Sequence, residues 1–224
     1  SIMSDGQVQA YFSDAAQQEV TYQTSGINAE VSGGGVRINM IPRDGGNIFS
    51  GSAFLGGTAS SFVSDNLTPD LRARGLARGN SVSHISDVNV GLGGPIKRDK
   101  LWFFASWRKI RTDSIIAAGY WADGRPDPTQ EEQAIQNQML RLTWQVNQKN
   151  KFSVFHDRYP KFKVHEQVAG WIPEWETASG RRDQQHALYY TGQAKWTSTL
   201  SNRLLWETGY STNVEYLYIG YQPG

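Results

Sequence analysis

Between Leu140 and Val146 the chain alternates without a break: Leu140, Leu142, Trp144 and Val146 are apolar, while Arg141, Thr143 and Gln145 are polar. A strand sends successive side chains to opposite faces, so this run has one greasy face and one wet face. A half-buried strand of a soluble protein reads the same way, so the run alone leaves open which face meets water. The pattern recurs. One apolar set holds Val88, Val90 and Leu92, the next Leu101, Phe103, Ala105 and Trp107, then Leu188, Tyr190, Ala194 and Trp196, then Leu204, Trp206 and Tyr210. The opposite sets carry Asp87 and Asn89, Ser106 and Arg108, Thr191, Gln193 and Lys195, and Glu207, with Trp102, Phe104, Tyr189 and Leu205 as apolar exceptions.

Strands are expected at roughly 48–58, 84–94, 100–112, 134–147, 151–160, 184–197 and 203–219. Their connections alternate in length. Asn147–Asn150 and Ser198–Asn202 are short turns, and Pro95–Lys100 is nearly as short, whereas polar stretches of about 59–83, 113–133 and 161–183 separate the hairpins. Several loops of ~20 residues argue against a compact soluble domain and suit a membrane barrel with short turns on one side and long loops on the other. Tryptophans near strand ends, Trp107, Trp144, Trp196 and Trp206, suit an aromatic girdle, or else the core of a soluble sandwich.

Composition narrows the classes. Only 38% of residues are hydrophobic, which a spanning barrel tolerates because half of each strand faces water. No apolar stretch approaches the ~20 residues that a membrane helix needs. The near-neutral charge of +1 argues against a dedicated nucleic-acid binder. There are no cysteines, hence no disulfide or thiolate metal site. Ser1–Ser4 has neither the basic nor the apolar part of a signal peptide, so the chain is expected to be processed or to be a segment of something longer.

No catalytic or metal-binding constellation emerges, and no cofactor is expected. His84, His156, His165 and His186 lack chelate spacing, and the adjacent pairs His156-Asp157 and His165-Glu166 would point to opposite faces of a strand. Glu174 with Glu176, or Asp123 with Asp127, could be set as a carboxylate pair, but the surrounding Pro, Gly and Trp read as solvated loop. Gly91–Gly94 lacks the lysine-serine/threonine ending of a phosphate loop, and no Gly-x-Ser-x-Gly elbow occurs. The basic clusters Arg72-Ala73-Arg74 and Gly180-Arg181-Arg182 read as loop surface or lipopolysaccharide-facing. If a ligand is bound, Tyr120, Trp121, Trp171 and Trp175 set aromatics beside charges in the long loops, where the alternative is loop self-packing or membrane anchoring.

The first part of the chain, to Asn47, is different in character. It is rich in Gln, Ser and Gly, with short β-like pieces at Val8–Phe12, Glu19–Tyr22, Asn28–Val31 and Val36–Ile41. Its end, Asn28 to Gly51, contains Gly33-Gly34-Gly35, Val36-Arg37-Ile38-Asn39, and Pro42-Arg43-Asp44-Gly45-Gly46-Asn47. This segment closely resembles the end of the plug domain in TonB-dependent outer-membrane receptors. Gly93–Arg108 is similar to the periplasmic hairpin between the second and third barrel strands in the Oar-like branch, whose members carry an N-terminal carboxypeptidase-regulatory-like domain. Ser64–Leu76 resembles the first extracellular loop there. The physics agrees: Gly45 and Gly46 let the backbone turn from plug to wall, and Gly51 and Ala53 leave room for packing. Pro95 suits a strand end, and Lys97, Arg98 and Lys100 suit a water interface.

The resemblance implies an all-β chain: residues 1–47 as the C-terminal part of a plug, and 48–224 as the first part of an antiparallel up-and-down transmembrane β-barrel. Gly33, Gly34, Asn39, Gly45, Gly46, Asn47 and Gly51 form the plug-to-barrel junction in that reading. Such receptors close about 22 strands, and about seven are readable here, so an internal fragment is expected. The implied setting is the outer membrane of a bacterium. The implied partners are membrane lipid and lipopolysaccharide, an unidentified nutrient and the TonB complex, with no nucleic acid and no covalent chemistry. A non-transporting barrel (adhesin or structural) and a soluble β-sandwich carbohydrate module are the rival readings.

Overall fold

The computed structural model describes residues 13–24, 37–65, 67–76, 79–115, 130–166 and 182–221. Among the described residues ten strands dominate: β1 (Gln17–Gln23), β2 (Arg37–Pro42), β3 (Ser50–Ala59), β4 (Ser81–Lys97), β5 (Leu101–Ile115), β6 (Gln130–Gln145), β7 (Asn150–Arg158), β8 (Lys161–Glu166), β9 (Arg182–Ser201) and β10 (Leu204–Tyr221). The fold is all-β and antiparallel. β1 and β2 form a small sheet of their own. The other strands form one eight-stranded sheet in the order β10-β9-β7-β6-β5-β4-β3, with β8 continuing the line of β7 between β6 and β9. Each strand therefore lies beside its sequence neighbour, the layout of an up-and-down meander. Among the described residues the sheet is open, with β3 and β10 at its edges.

Local chemistry closes each short turn. Asp99 stands in the left-handed region at φ 61° between β4 and β5, a conformation that Asp tolerates better than most residues. The Asn147 side chain accepts the backbone N–H of Lys149 at 2.9 Å and of Asn150 at 3.0 Å, an Asx turn between β6 and β7. Ser201 Oγ accepts the Arg203 N–H between β9 and β10. Pro95 lies in β4 beyond Gly93, the last residue of β4 that pairs with β3, so its missing N–H interrupts no ladder on that side.

The long connections hold more structure than a polar loop reading expects. β3 runs directly into a 3-10 turn at Ser60–Phe62, and a short helix, α1 (Pro69–Ala73), follows. Thr68 caps that helix by accepting the Leu71 N–H at 3.3 Å, with proline at its first position. Arg72 and Arg74 are both engaged, with Asp65 and Asp70, as exposed ion pairs. The expected loop at 161–183 begins instead with β8, paired to β6 and β9. Pro160 interrupts the strand, but its carbonyl accepts the Gln136 N–H and the Tyr159 N–H reaches the Tyr189 carbonyl, so the ladder continues across the break.

One face of the large sheet leaves its apolar side chains exposed, while the other buries polar residues together with Phe104, Ile135, Met139, Phe155, Tyr159 and Tyr189. Val90, Leu92, Trp107, Leu140, Trp144, Val154, Leu188 and Trp206 are exposed. The buried residues of the other face include Asn89, Ser106, Asn137, Thr143 and Asp157, the last 0% exposed. Register explains the grouping. Phe103, Leu142, Val154, Ala194 and Tyr210 are successive partners across five strands. Next toward the short turns come Leu101, Trp144, Phe152 and Trp196. There the rings of Trp144 and Phe152 lie 6.4 Å apart, and those of Phe152 and Trp196 stack at 5.8 Å with 4° between planes. We call the apolar side the outer face and the polar side the inner face.

Candidate functional site

The inner face is where the segments flanking the small sheet meet the wall. A 3-10 turn at Asp14–Ala16 sits there: Ser13 Oγ donates to Asn89 Oδ1 at 3.0 Å, and Ala16 is buried with Phe104, Met139 and Phe155. Phe104 is one of the apolar exceptions on the polar side. Its ring fills the space that Gly91 and Gly93 leave in β4; a Cβ on Gly93 would stand 2.7 Å from the ring. Large against small therefore makes the seat for the turn.

The segment from Arg43 to Phe49 carries the chain from β2 to β3 along this wall. The Arg43 N–H donates to the Ala16 carbonyl at 2.8 Å, and its Nε donates to the Gln17 carbonyl at 3.1 Å. Asp44 reaches β6: Thr143 Oγ1 donates to it at 2.9 Å, and the Arg141 guanidinium pairs with it. Gly45 lies flat on β5, where a Cβ would overlap the Phe103 carbonyl. Gly46 has open space around it. Asn47 then clasps the β4–β5 turn. Its Nδ2 donates to Asp99 Oδ1 at 2.6 Å, and its Oδ1 accepts the Asp99 N–H at 2.9 Å and Trp102 Nε1–H at 2.7 Å. The Phe49 ring lies on Gly94, with the Phe103 ring 6.3 Å away. A Cβ on Gly51 would meet the Gly91 carbonyl at 2.7 Å.

Asn47 satisfies an inverted turn residue and an indole at once. Asn47→Ala leaves two donors without their acceptor at an exposed site that water can partly resupply, so the expected loss is about 1–2 kcal/mol. Chemical denaturation of the variant, read against the parent midpoint, checks this; an unchanged midpoint removes Asn47 from the set that fixes the junction.

Further along, the inner wall is a field of paired polar groups. Arg108 donates to Asp87 through Nε at 3.0 Å and Nη2 at 2.7 Å. Asn137 Nδ2 donates to Asp157 Oδ1 at 2.6 Å, leaving Asn137 Oδ1 and Asp157 Oδ2 buried without a hydrogen-bond partner. Tyr159 and Thr191 share a short hydroxyl contact, Thr191 donates onward to Asn213, and Lys195 pairs with Glu207 at 2.8 Å. This array binds and orients by hydrogen bonds and charge. Among the described residues no group of three His, Cys, Asp or Glu is placed to hold a metal ion.

The sequence-derived residues divide accordingly. Gly45 lies against Phe103 of β5, Asn47 against the β4–β5 turn and Gly51 beside Gly91 of β4, while Gly46 borders open space and Asn39 lies exposed in β2 opposite Thr21. Gly33, Gly34, Tyr120, Trp121, Trp171 and Trp175 lie outside the described residues. Sequence reasoning missed Ser13, Ala16, Asp44 and Arg141. Asp44 and Arg141 are 97 residues apart, and no local pattern links them.

Comparison with known proteins adds one relative. The chain is 37% identical over 94 residues, 40% of its length, to the TonB-dependent transporter Oar of Myxococcus xanthus. The match spans 9% of that protein, so a relationship to such transporters is shown for a partial region. No family model matches the chain. No solved structure matches it either.

Proposed function

We propose that the chain is part of an outer-membrane TonB-dependent transporter. Residues 1–47 form the end of a plug, and residues 48–224 form the first stretch of a transmembrane β-barrel around it. One observation carries this reading: the large sheet leaves a continuous apolar face exposed and covers the face that carries Asn89, Asn137, Thr143 and Asp157 among its buried residues. Exposing a continuous apolar row in water is costly at ~25 cal/mol per Å², and hydrocarbon removes that cost. Among the described residues no second sheet packs on the outer face, as a sandwich would require. The aromatic stack at the short-turn end suits a membrane–water interface. The partial likeness to the M. xanthus transporter supports the transport role.

In this reading the whole protein imports a scarce nutrient and performs no covalent chemistry. The ligand binds from the long-connection side, the plug segment shifts on the inner wall, and an inner-membrane complex supplies the work through TonB. The polar bonds between Ser13 and Asn89, and from Asp44 to Arg141 and Thr143, are the ones such a shift must break or carry along. Fractionation of cells expressing the whole gene product tests the setting. The expected result is recovery in the outer membrane, resistance to carbonate extraction and heat-dependent electrophoretic mobility. A detergent-free soluble monomer with a cooperative melt would refute it and favour the sandwich. A membrane barrel whose loss leaves nutrient uptake unchanged points instead to an adhesin or structural barrel.

A further inference from the structure

The short turns carry a charge pattern that the opposite end of the sheet does not. Lys97, Arg98 and Lys100 surround the β4–β5 turn, Lys149 and Lys151 flank the β6–β7 turn, and Arg203 stands in the β9–β10 turn. All six are exposed. One carboxylate, Asp99, lies among them, and it already accepts Asn47 Nδ2–H at 2.6 Å. Asp44, in the passage that leads to Asn47, is engaged by Arg141 and Thr143. Among the described residues no carboxylate pairs with any of the six cations. Toward the long connections, by contrast, cations are matched: Arg72 with Asp65, Arg74 with Asp70, and Arg111 with Asp113.

The fold holds the first two of these turns beside the aromatic row. The Gln145 N–H donates to the Lys100 carbonyl at 2.7 Å, and the Thr199 N–H donates to the Lys149 carbonyl at 2.9 Å, so both turns are tied to the neighbouring strand. Leu101 follows Lys100 directly, and Phe152 follows Lys151. Both belong to the row of Leu101, Trp144, Phe152 and Trp196. A strand rises about 3.3 Å per residue, so the cations begin one step beyond the rings. If the rings mark a membrane–water interface, long basic side chains just past them reach the phosphate layer. A zwitterionic headgroup offers each cation a phosphate together with a competing ammonium. A headgroup of net negative charge attracts without that repulsion.

We propose that the short-turn rim docks on anionic phospholipid headgroups, of the phosphatidylglycerol class, in the leaflet that it meets. Lys97, Arg98, Lys100, Lys149 and Lys151 form a basic belt beside the aromatic row, and Arg203 extends it on the longer β9–β10 hairpin. Unmatched positive charge holds this end at an anionic surface, whereas the paired ions of the opposite end gain nothing there. The inference rests on the membrane reading of the outer face.

The test uses the whole protein in dodecyl maltoside, incubated with mixed micelles holding equal amounts of dioleoyl phosphatidylglycerol and dioleoyl phosphatidylcholine. Lipid that stays with the protein through gel filtration is counted by mass spectrometry. A Lys or Arg near an anionic surface contributes roughly fivefold, and the effect fades within a Debye length, ~10 Å at 0.1 M salt and ~3 Å at 1 M. Phosphatidylglycerol should therefore be retained about fivefold over phosphatidylcholine at low salt, and about equally at 1 M. Two triple variants remove the same net charge: Lys97→Gln/Arg98→Gln/Lys100→Gln at the short turns, and Arg72→Gln/Arg74→Gln/Lys109→Gln toward the long connections. The first should lose most of the preference and the second should keep it. Should the first not fold, the salt series on the parent protein and the second variant still decide. No preference in the parent, a preference that survives 1 M salt, or equal loss in the two variants overturns the proposal. A whole protein that stays soluble without detergent would instead mean that the membrane reading itself has failed.

Discussion

On the proposed membrane reading, Val154→Arg is expected to destabilise the protein by about 2–4 kcal/mol, the cost of placing a guanidinium near the middle of a band that meets lipid. Val154 is 51% exposed and stands between Leu142 and Ala194 in the apolar row that runs from Phe103 to Tyr210. In a soluble protein a half-exposed valine replaced by arginine would change stability by no more than about 0.5 kcal/mol. The same change is therefore neutral in water and severe in hydrocarbon. Ser211→Arg supplies the control: Ser211 is exposed on the inner face of β10, opposite Gln193 and between Glu207 and Glu215 on the same side of the strand. Its expected effect is within about 0.5 kcal/mol. Urea titrations of both variants in lipid or detergent give the two numbers. Equal and small effects would mean that the apolar stripe does not face hydrocarbon.

Much of this sheet was legible because its signal is local. Leu140, Leu142, Trp144 and Val146 disclose a face within seven residues, and the short turns announce themselves through Asn147 and Asn150. Even the exceptions were informative. Phe104 breaks the polar row because Ala16 packs on it, and Trp102 breaks it because its indole serves Asn47. β8 was missed although Phe162 and Val164 alternate with Lys161 and Lys163. Two apolar residues behind a proline are too few to outweigh the charges around them, and only pairing with β6 and β9 makes the segment a strand. α1 was missed for a similar reason, since a helix of one turn has no periodicity to read.

The junction divides along the same line. Asn47 and Gly45 belong to a compact motif whose residue types state a tight passage of backbone. The bond from Thr143 to Asp44 joins residues 99 apart, and that from Ser13 to Asn89 joins residues 76 apart. Such pairs are set by how the segment lies on the finished wall, which depends on strand register and not on neighbours in sequence. The inner face thus shows why a sheet that carries a packed segment of its own chain is hard to read from its polar rows. A serine, an asparagine or an arginine on that side looks alike whether it faces water or another segment of the same chain.

Gly45→Ala is expected to cost about 3 kcal/mol, at the upper end of what overpacking does, while Gly46→Ala should be nearly neutral. The difference lies in what a single methyl group meets. At Gly45 it runs into the carbonyl and neighbouring backbone atoms of Phe103 in the middle of the sheet; at Gly46 it meets nothing within 4 Å. Backbone inside a sheet cannot step aside as the end of a flexible side chain can, because Phe103 is held by Gly94 on one side and Leu142 on the other. Either β5 distorts or the segment from Arg43 to Asn47 lifts away. Lifting would also draw Asp44 from Thr143 and Asn47 from the β4–β5 turn, so the loss spreads beyond one contact. Two readouts separate the alternatives. A lowered denaturation midpoint with normal protease resistance between Pro42 and Ser50 means that the sheet has yielded. New cleavage in that interval means that the segment has come off the wall. Equal stability of the two alanine variants would show that Gly45 does not lie against β5 at all.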